Sequence, residues 1–192
     1  GAVSAFDVAS QVPTMLYDQL VGGMLSSSLV PVFSDYADGE DKEELWTLFS
    51  HVLTFAALVL SGLVLLIEAA APWIARMLGQ ALPPEYLTMA TEMIRLTAPA
   101  VFFLNIAGLI SATLFAMQRF ALPAFNAAVY NVTLIVVMAL LSRELGERAM
   151  AVGVFVATAI QTAFQIPGLY GIKLRLRSPF PLHPALIQIG RL

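Results

Sequence analysis

"DVASQVPTMLYDQLVGGMLSSSLVPVF", Asp7 to Phe33, has the length of a membrane helix and an apolar second half. It also carries Asp7, Gln11, Asp18, Gly22, Gly23, a run of serines from Ser26 and an internal Pro13. Lipid penalises such groups, an ionised carboxylate at mid-membrane costing at least ~2.5 kcal/mol. On a helix, Asp7, Gln11, Thr14, Asp18, Gly22 and Ser26 follow one another at three or four residues and stack on one face. Phe6, Val8, Met15, Leu16, Leu20, Met24 and Leu29 point elsewhere. The stripe therefore faces protein or a water-filled cavity. A cavity wall and a polar contact between packed helices both satisfy that condition. Two carboxylates favour the cavity, with Asp18, about three turns inside the segment, ahead of Asp7. Pro13 removes one backbone bond and bends the helix near the stripe, and Gly22 and Gly23 permit close helix approach or a hinge.

The rest of the composition agrees with a membrane setting. Of 192 residues, 59% are hydrophobic and only 12% charged, against about 25% charged in soluble domains. The mean hydropathy is +0.82. A soluble core of this size would leave much of that apolar surface in water. A net charge of −3 offers no footprint for nucleic acid. Without cysteine there is neither a disulfide framework nor a thiolate metal site. With two histidines, His51 and His183, and no nucleotide loop, metal spacing or Ser/His/Asp set, the chain reads as a non-enzyme with no cofactor. The missing initial Met, and a new apolar segment opening at "IQIGRL", lead us to expect a piece of a longer membrane protein.

Charged residues punctuate the chain. Five spans are expected, at roughly residues 5–34, 45–70, 92–117, 121–142 and 148–172, each long enough for a ~30 Å hydrocarbon core. The fold class is all-α, a polytopic transmembrane helical bundle, because the apolar runs are too long and too unbroken for strands. Short connections join the spans: "SDYADGEDKEEL", "GQALPPEY" with a Pro-Pro expected to bar helix, "QRFALP" and "SRELGERA". Residues 173–192 read as a basic, proline-broken linker and the start of a further helix. Alternation puts Lys42, Arg119, Lys173, Arg175 and Arg177 on one side, and Arg76, Arg95, Arg143 and Arg148 on the other. The first group is the cytoplasmic one by the positive-inside rule. His51 is expected to be a hydrogen-bonded structural residue and Pro99 a kink. Asn105, Asn126, Asn131, Gln161 and Gln165 are expected to be interhelical partners, and Glu68 and Trp73 interface residues.

The order of residues resembles a known family. "AFDVASQVPTMLYDQLVGGMLSSSLVPVFSDY" is similar to the second transmembrane helix of the MurJ/MviN lipid II flippases, matching at Ala5, Phe6, Val8, Ala9, Pro13, Leu16, Gly23, Ser26, Val30, Pro31, Val32 and Tyr36. "AAPWI" at Ala70 to Ile74 resembles the end of the family's third helix. "QRFALPAFNAAVYNVTLI" is similar to its N-[RK]-F-x-x-P-A block through Arg119, Phe120, Pro123, Ala124, Asn131 and Ile135. "AVGVFVATAIQTAFQIPGLY" resembles its sixth helix at Ala151, Gly153, Gln161, Gln165 and Pro167.

That resemblance implies part of the N-terminal lobe of a MOP/MATE-like transporter, about helices two to six, in a multi-pass protein of the bacterial inner (cytoplasmic) membrane. It implies alternating access that carries an undecaprenyl-pyrophosphate-linked peptidoglycan precursor to the outer leaflet. The implied partners are the lipid-linked substrate, membrane lipids and the remainder of the transporter. Positions where the family places basic cavity residues fall at Gln11 and Tyr17 here, and acidic family positions fall at Ser4 and Gly22. Asp7 and Asp18 make the stripe acidic instead, which favours a bound coupling cation or a cationic cargo. The expected cavity residues are therefore Gln11, Tyr17 and Asp18, then Asp7 and Ser26, with Pro13, Gly22 and Gly23 as kink or hinge. Another MOP-type exporter, or a membrane scaffold that keeps the fold without transport, stands as the alternative.

Overall fold

In the computed structural model, residues 33–34, 42–78 and 83–171 are described. Within them the chain forms α1 (Lys42–Leu78), α2 (Pro84–Ala116), α3 (Ala121–Leu145) and α4 (Arg148–Gln165), followed by a 3-10 turn, Ile166–Leu169. All four helices are long and apolar enough to cross a membrane, and no strand occurs among the described residues. The expected span at 5–34 lies outside them except at its end, Phe33.

Local chemistry sets the helix ends. α1 opens at Lys42 with Glu43 in its first turn, where the helix dipole favours a carboxylate, and closes with Arg76 in its last turn. It continues through Pro72, so it is longer than the charge-free run around which the span was drawn. The Pro-Pro pair corrects an expectation. Pro83 is extended (φ −57°, ψ 152°) and caps α2, and Pro84 is the first helical residue. A first-turn proline has no intrahelical donor to lose, so the pair starts a helix rather than barring one. α2 therefore begins well before residue 92.

The end of α2 is a Schellman motif. The Gln118 N–H donates to Phe115 O (2.9 Å) and the Arg119 N–H to Leu114 O (2.8 Å), with Gln118 in the left-handed region at φ 58°. Between α3 and α4 only Gly146 and Glu147 intervene, with Gly146 at φ 55° making the reversal.

The helices pack in the spatial order α1, α2, α4, α3. α4 separates its neighbours with two small-residue faces. Ala149, Gly153 and Ala157 recur every four residues, and a Cβ built on Gly153 would sit 2.8 Å from Leu134 Cδ1 of α3. Ala151 packs with Met93, Ile94 and Ala98 of α2. In lipid, where apolar burial gains little over tail contact, such close approach is what holds helices together. α2 is the most buried helix, whereas α3 buries no residue and exposes Phe125, Val132, Ile135 and Leu140.

Two cores result. One contains Phe33, Leu45, Leu48, Phe49, Leu109 and Leu114, at the end where α1 starts and α2 finishes. The other, at the opposite end, is alanine-rich: Ala71, Ala75, Ala90 and Ala98 with Ile67, Met93 and Ile94.

Candidate functional site

Asp7, Gln11, Pro13, Tyr17, Asp18, Gly22, Gly23 and Ser26 all lie outside the described residues, so the structure brings none of them to a site. What it does place is the end of their segment. Phe33 is fully buried and meets Phe49 edge to face, with ring centroids 6.3 Å apart, in the core formed by α1 and α2. Such aromatic pairs contribute about 0.5–1.5 kcal/mol beyond the area they bury. The segment carrying the acidic stripe is thus tied at Phe33 to the expected cytoplasmic end of the bundle.

Among the described residues the polar groups form a ladder between α2 and α4. Thr162 Oγ1 shares its proton between Thr158 O of its own helix (2.7 Å) and Phe103 O (2.9 Å), and Gln165 Nε2 donates to Ala107 O (3.2 Å). Ser111 Oγ donates to Gln165 Oε1 at 2.7 Å, and Asn126 Nδ2 of α3 reaches Ser111 Oγ at 3.4 Å. The directions are fixed from one end. Ala107 O can only accept, so Gln165 presents its oxygen to Ser111, whose hydroxyl is left to accept from Asn126. Asn126 Oδ1 is buried without a hydrogen-bond partner. Gln165 is fully buried, so the ladder joins three helices through neutral groups.

Charged groups sit nearer the helix ends. Arg119 Nη1 donates to Gly168 O (2.6 Å) and Tyr170 O (3.1 Å), which anchors the 3-10 turn beyond α4 with a charge-assisted bond. Gly168 is buried there, and a Cβ on it would lie 2.6 Å from Leu122 Cδ1. At the other end Arg148 pairs with Glu92 at 2.6 Å, both side chains about half exposed. Arg95 Nε lies 3.4 Å from Glu68 O. Residues 45–67, 96–118, 120–142 and 149–171 contain no Asp, Glu, Lys or Arg.

Several single-residue expectations resolve differently. Gln165 and Asn126 do bond between helices, whereas Asn105 Nδ2 donates to Val101 O (2.8 Å) and Asn131 Nδ2 to Ala127 O (2.8 Å), each four residues back in its own helix. An asparagine within reach of its own i−4 carbonyl needs no neighbour, and sequence spacing does not reveal which option wins. His51 Nδ1 lies 2.8 Å from Thr47 O, so that nitrogen carries the proton. Trp73 is 64% exposed at the far end of α1, as an interface residue would be. Ser111 and the Glu92–Arg148 pair had no sequence signal beyond polarity. The Ser111 spacing of four from Ala107 is the one hint available for it.

The family described as "Lipid II flippase MurJ" matches residues 1–189. The chain is 28% identical over 179 residues to the lipid II flippase MurJ of Burkholderia cenocepacia, covering 88% of this chain and 34% of that protein. It is 24% identical over 174 residues to the "Probable lipid II flippase MurJ" of Buchnera aphidicola subsp. Acyrthosiphon pisum, with coverage of 88% and 34%. A solved structure, "Lipid II flippase MurJ, inward closed conformation", superimposes with a TM-score of 0.76 at 22% identity, covering 92% of this chain and 37% of that one. The chain spans about a third of the length of these curated relatives.

Proposed function

The chain belongs to the lipid II flippase MurJ family, and on that premise we propose that it forms part of a transporter moving a polyprenyl-pyrophosphate-linked peptidoglycan precursor across the bacterial inner membrane. The carrying observation is the family match over residues 1–189, together with membrane-capable helices on a MurJ-like fold. Transport here means alternating access without covalent chemistry: the substrate or a coupling ion binds inward and outward states with different affinity and so shifts their populations. Gln11, Tyr17 and Asp18, then Asp7 and Ser26, line the route in this reading, with Pro13, Gly22 and Gly23 giving the segment its bend.

Asp7 and Asp18 support one refinement. A wall with two carboxylates repels a pyrophosphate unless a cation intervenes. A coupling cation held by these carboxylates would offset the repulsion. The same two residues favour the second reading, an exporter of a cationic compound. Basic residues elsewhere in the transporter would favour the first.

The test is rescue of a bacterium depleted of its own lipid II flippase by the full-length protein carrying this chain, with membrane insertion verified and outer-leaflet lipid II measured. Survival with lipid II reaching the outer leaflet supports the proposal. Correct insertion without lipid II movement rejects it, and leaves cationic cargo or a non-transporting scaffold.

A further inference from the structure

Pro72 and Pro99 lie inside α1 and α2. A proline has no N–H, so each leaves the carbonyl four residues earlier without its helical donor: Glu68 O in α1 and Arg95 O in α2. These two positions face one another, because Arg95 Nε donates to Glu68 O at 3.4 Å. Two gaps in adjacent antiparallel helices thus fall at one level, and the side chain next to one gap fills the other. Thr97 adds to the weakness of α2 there, its hydroxyl lying 2.9 Å from Met93 O and 3.2 Å from Ile94 O. Back-bonding of this kind bends helices.

Beyond this level the packing changes. The outer half of the pair is held by Ala71, Ala75 and Ala90 with Ile74, Met89, Met93 and Ile94, whereas the inner half is held by large Phe and Leu side chains. The alanines let the two backbones approach closely there, so the outer half of the pair can move as one body. An open apolar groove of about 320 Å³, lined by Ser61, Val64, Leu65, Pro99, Phe102 and Phe103, lies beside Pro99 and leaves room for movement. The outer half meets α4 through Ala151 and the exposed Glu92–Arg148 pair.

We propose that residues 69–78 and 84–94 form a flap on the expected outer face, rocking as one unit about the paired proline gaps, with Arg95 as its pin and Glu92–Arg148 as its latch to α4. The assignment of the flap to the outer leaflet side rests on the transport reading above. The hinge itself does not.

The full-length protein, with other cysteines removed, is reconstituted in bilayers with spin labels on Met77→Cys and Met150→Cys, both exposed positions. Pulsed electron resonance should resolve two separations. Glu92→Gln should raise the population of the longer one about two- to five-fold, the range expected of an exposed ion pair. Pro72→Ala with Pro99→Ala, which restores both backbone donors, should leave one separation. Arg95→Lys, which folds if the double proline variant does not, should broaden both. A single separation unchanged by Glu92→Gln and Arg95→Lys overturns the proposal. The readout needs no substrate: a moving flap in a protein that fails to move lipid II counts against the function alone, and a rigid flap in an active protein counts against the hinge alone.

Discussion

Gln165→Leu separates the hydrogen-bond ladder from simple packing. Gln165 is fully buried and holds α4 to α2 through Ala107 O and Ser111 Oγ. Leucine keeps most of the volume and removes both bonds. Ala107 O still accepts from its own helix, so the group at risk is the Ser111 hydroxyl. That hydroxyl has a fallback, since Ala107 O lies four residues back on α2 and is vacated by the substitution. The cost should thus fall at the low end of the range for a buried polar group losing its partner, about 1 kcal/mol. Gln165→Ala adds a cavity of roughly 50 Å³ at ~24 cal/mol per Å³, another ~1 kcal/mol, so about 2 kcal/mol and up to a ~30-fold change in the unfolding constant. Reversible unfolding of the full-length protein in mixed micelles measures both. Ser111→Ala combined with Gln165→Leu should cost less than the sum of the two, because removing both partners leaves nothing unpaired. Strict additivity, or a Leu variant as stable as the parent, would refute the ladder as a source of cohesion.

Three further outcomes are expected. Gln118→Gly should raise stability by about 0.5–1 kcal/mol, because Gln118 is exposed at φ 58° and the relief of left-handed strain exceeds the added chain entropy of glycine; a lower melting midpoint would contradict this. Gly153→Val should destabilise by about 1–3 kcal/mol by forcing α3 from α4 at Leu134, while Gly153→Ala stays near neutral as the tip of Leu134 yields; equal effects in thermal melts would rule the contact out. Asp18→Asn should abolish rescue of a flippase-depleted strain at normal membrane levels, whereas full rescue would place Asp18 outside the transport route.

Most of the fold was readable because charge sets the limits of a membrane helix: runs without Asp, Glu, Lys or Arg end close to where α3 and α4 end. α1 and α2 ran long for an identifiable reason. At ~1.5 Å per residue α1 approaches 55 Å, well beyond the ~30 Å that hydropathy reports, and nothing in hydropathy marks where a helix stops in water. Prolines were misread in one place, since Pro84 acts through its position at a helix start and residue type alone cannot show that. The polar side chains were legible as polar but not as paired. Asn126 and Asn131 lie five residues apart on one helix, yet one reaches Ser111 of α2 and the other its own backbone. The candidate cavity wall was read from spacing on one segment, and that segment lies outside the described residues.

The two ends of the bundle are built unequally, and the difference bears on how a transporter of this kind moves. At the end that holds Arg119, cohesion comes from Phe33 on Phe49, buried Gln165 with Ser111, and the exposed Arg119 guanidinium on the carbonyls after α4. Breaking any of these strands a polar group or opens a large void. At the other end the contacts are Ala71, Ala75 and Ala90 with Ile67, Met93 and Ile94, and an exposed ion pair worth at most about 1 kcal/mol. α4 is bound to α2 by the ladder at one end and by Ala151 and the exposed ion pair at the other, and it is the main support of α3, which also reaches α2 through Asn126. In the transport reading proposed above, a rearrangement between inward and outward states meets its lowest resistance at the Glu92–Arg148 end. In that reading the Phe33 end, where Phe33 packs on Phe49, is the fixed point about which the rest turns.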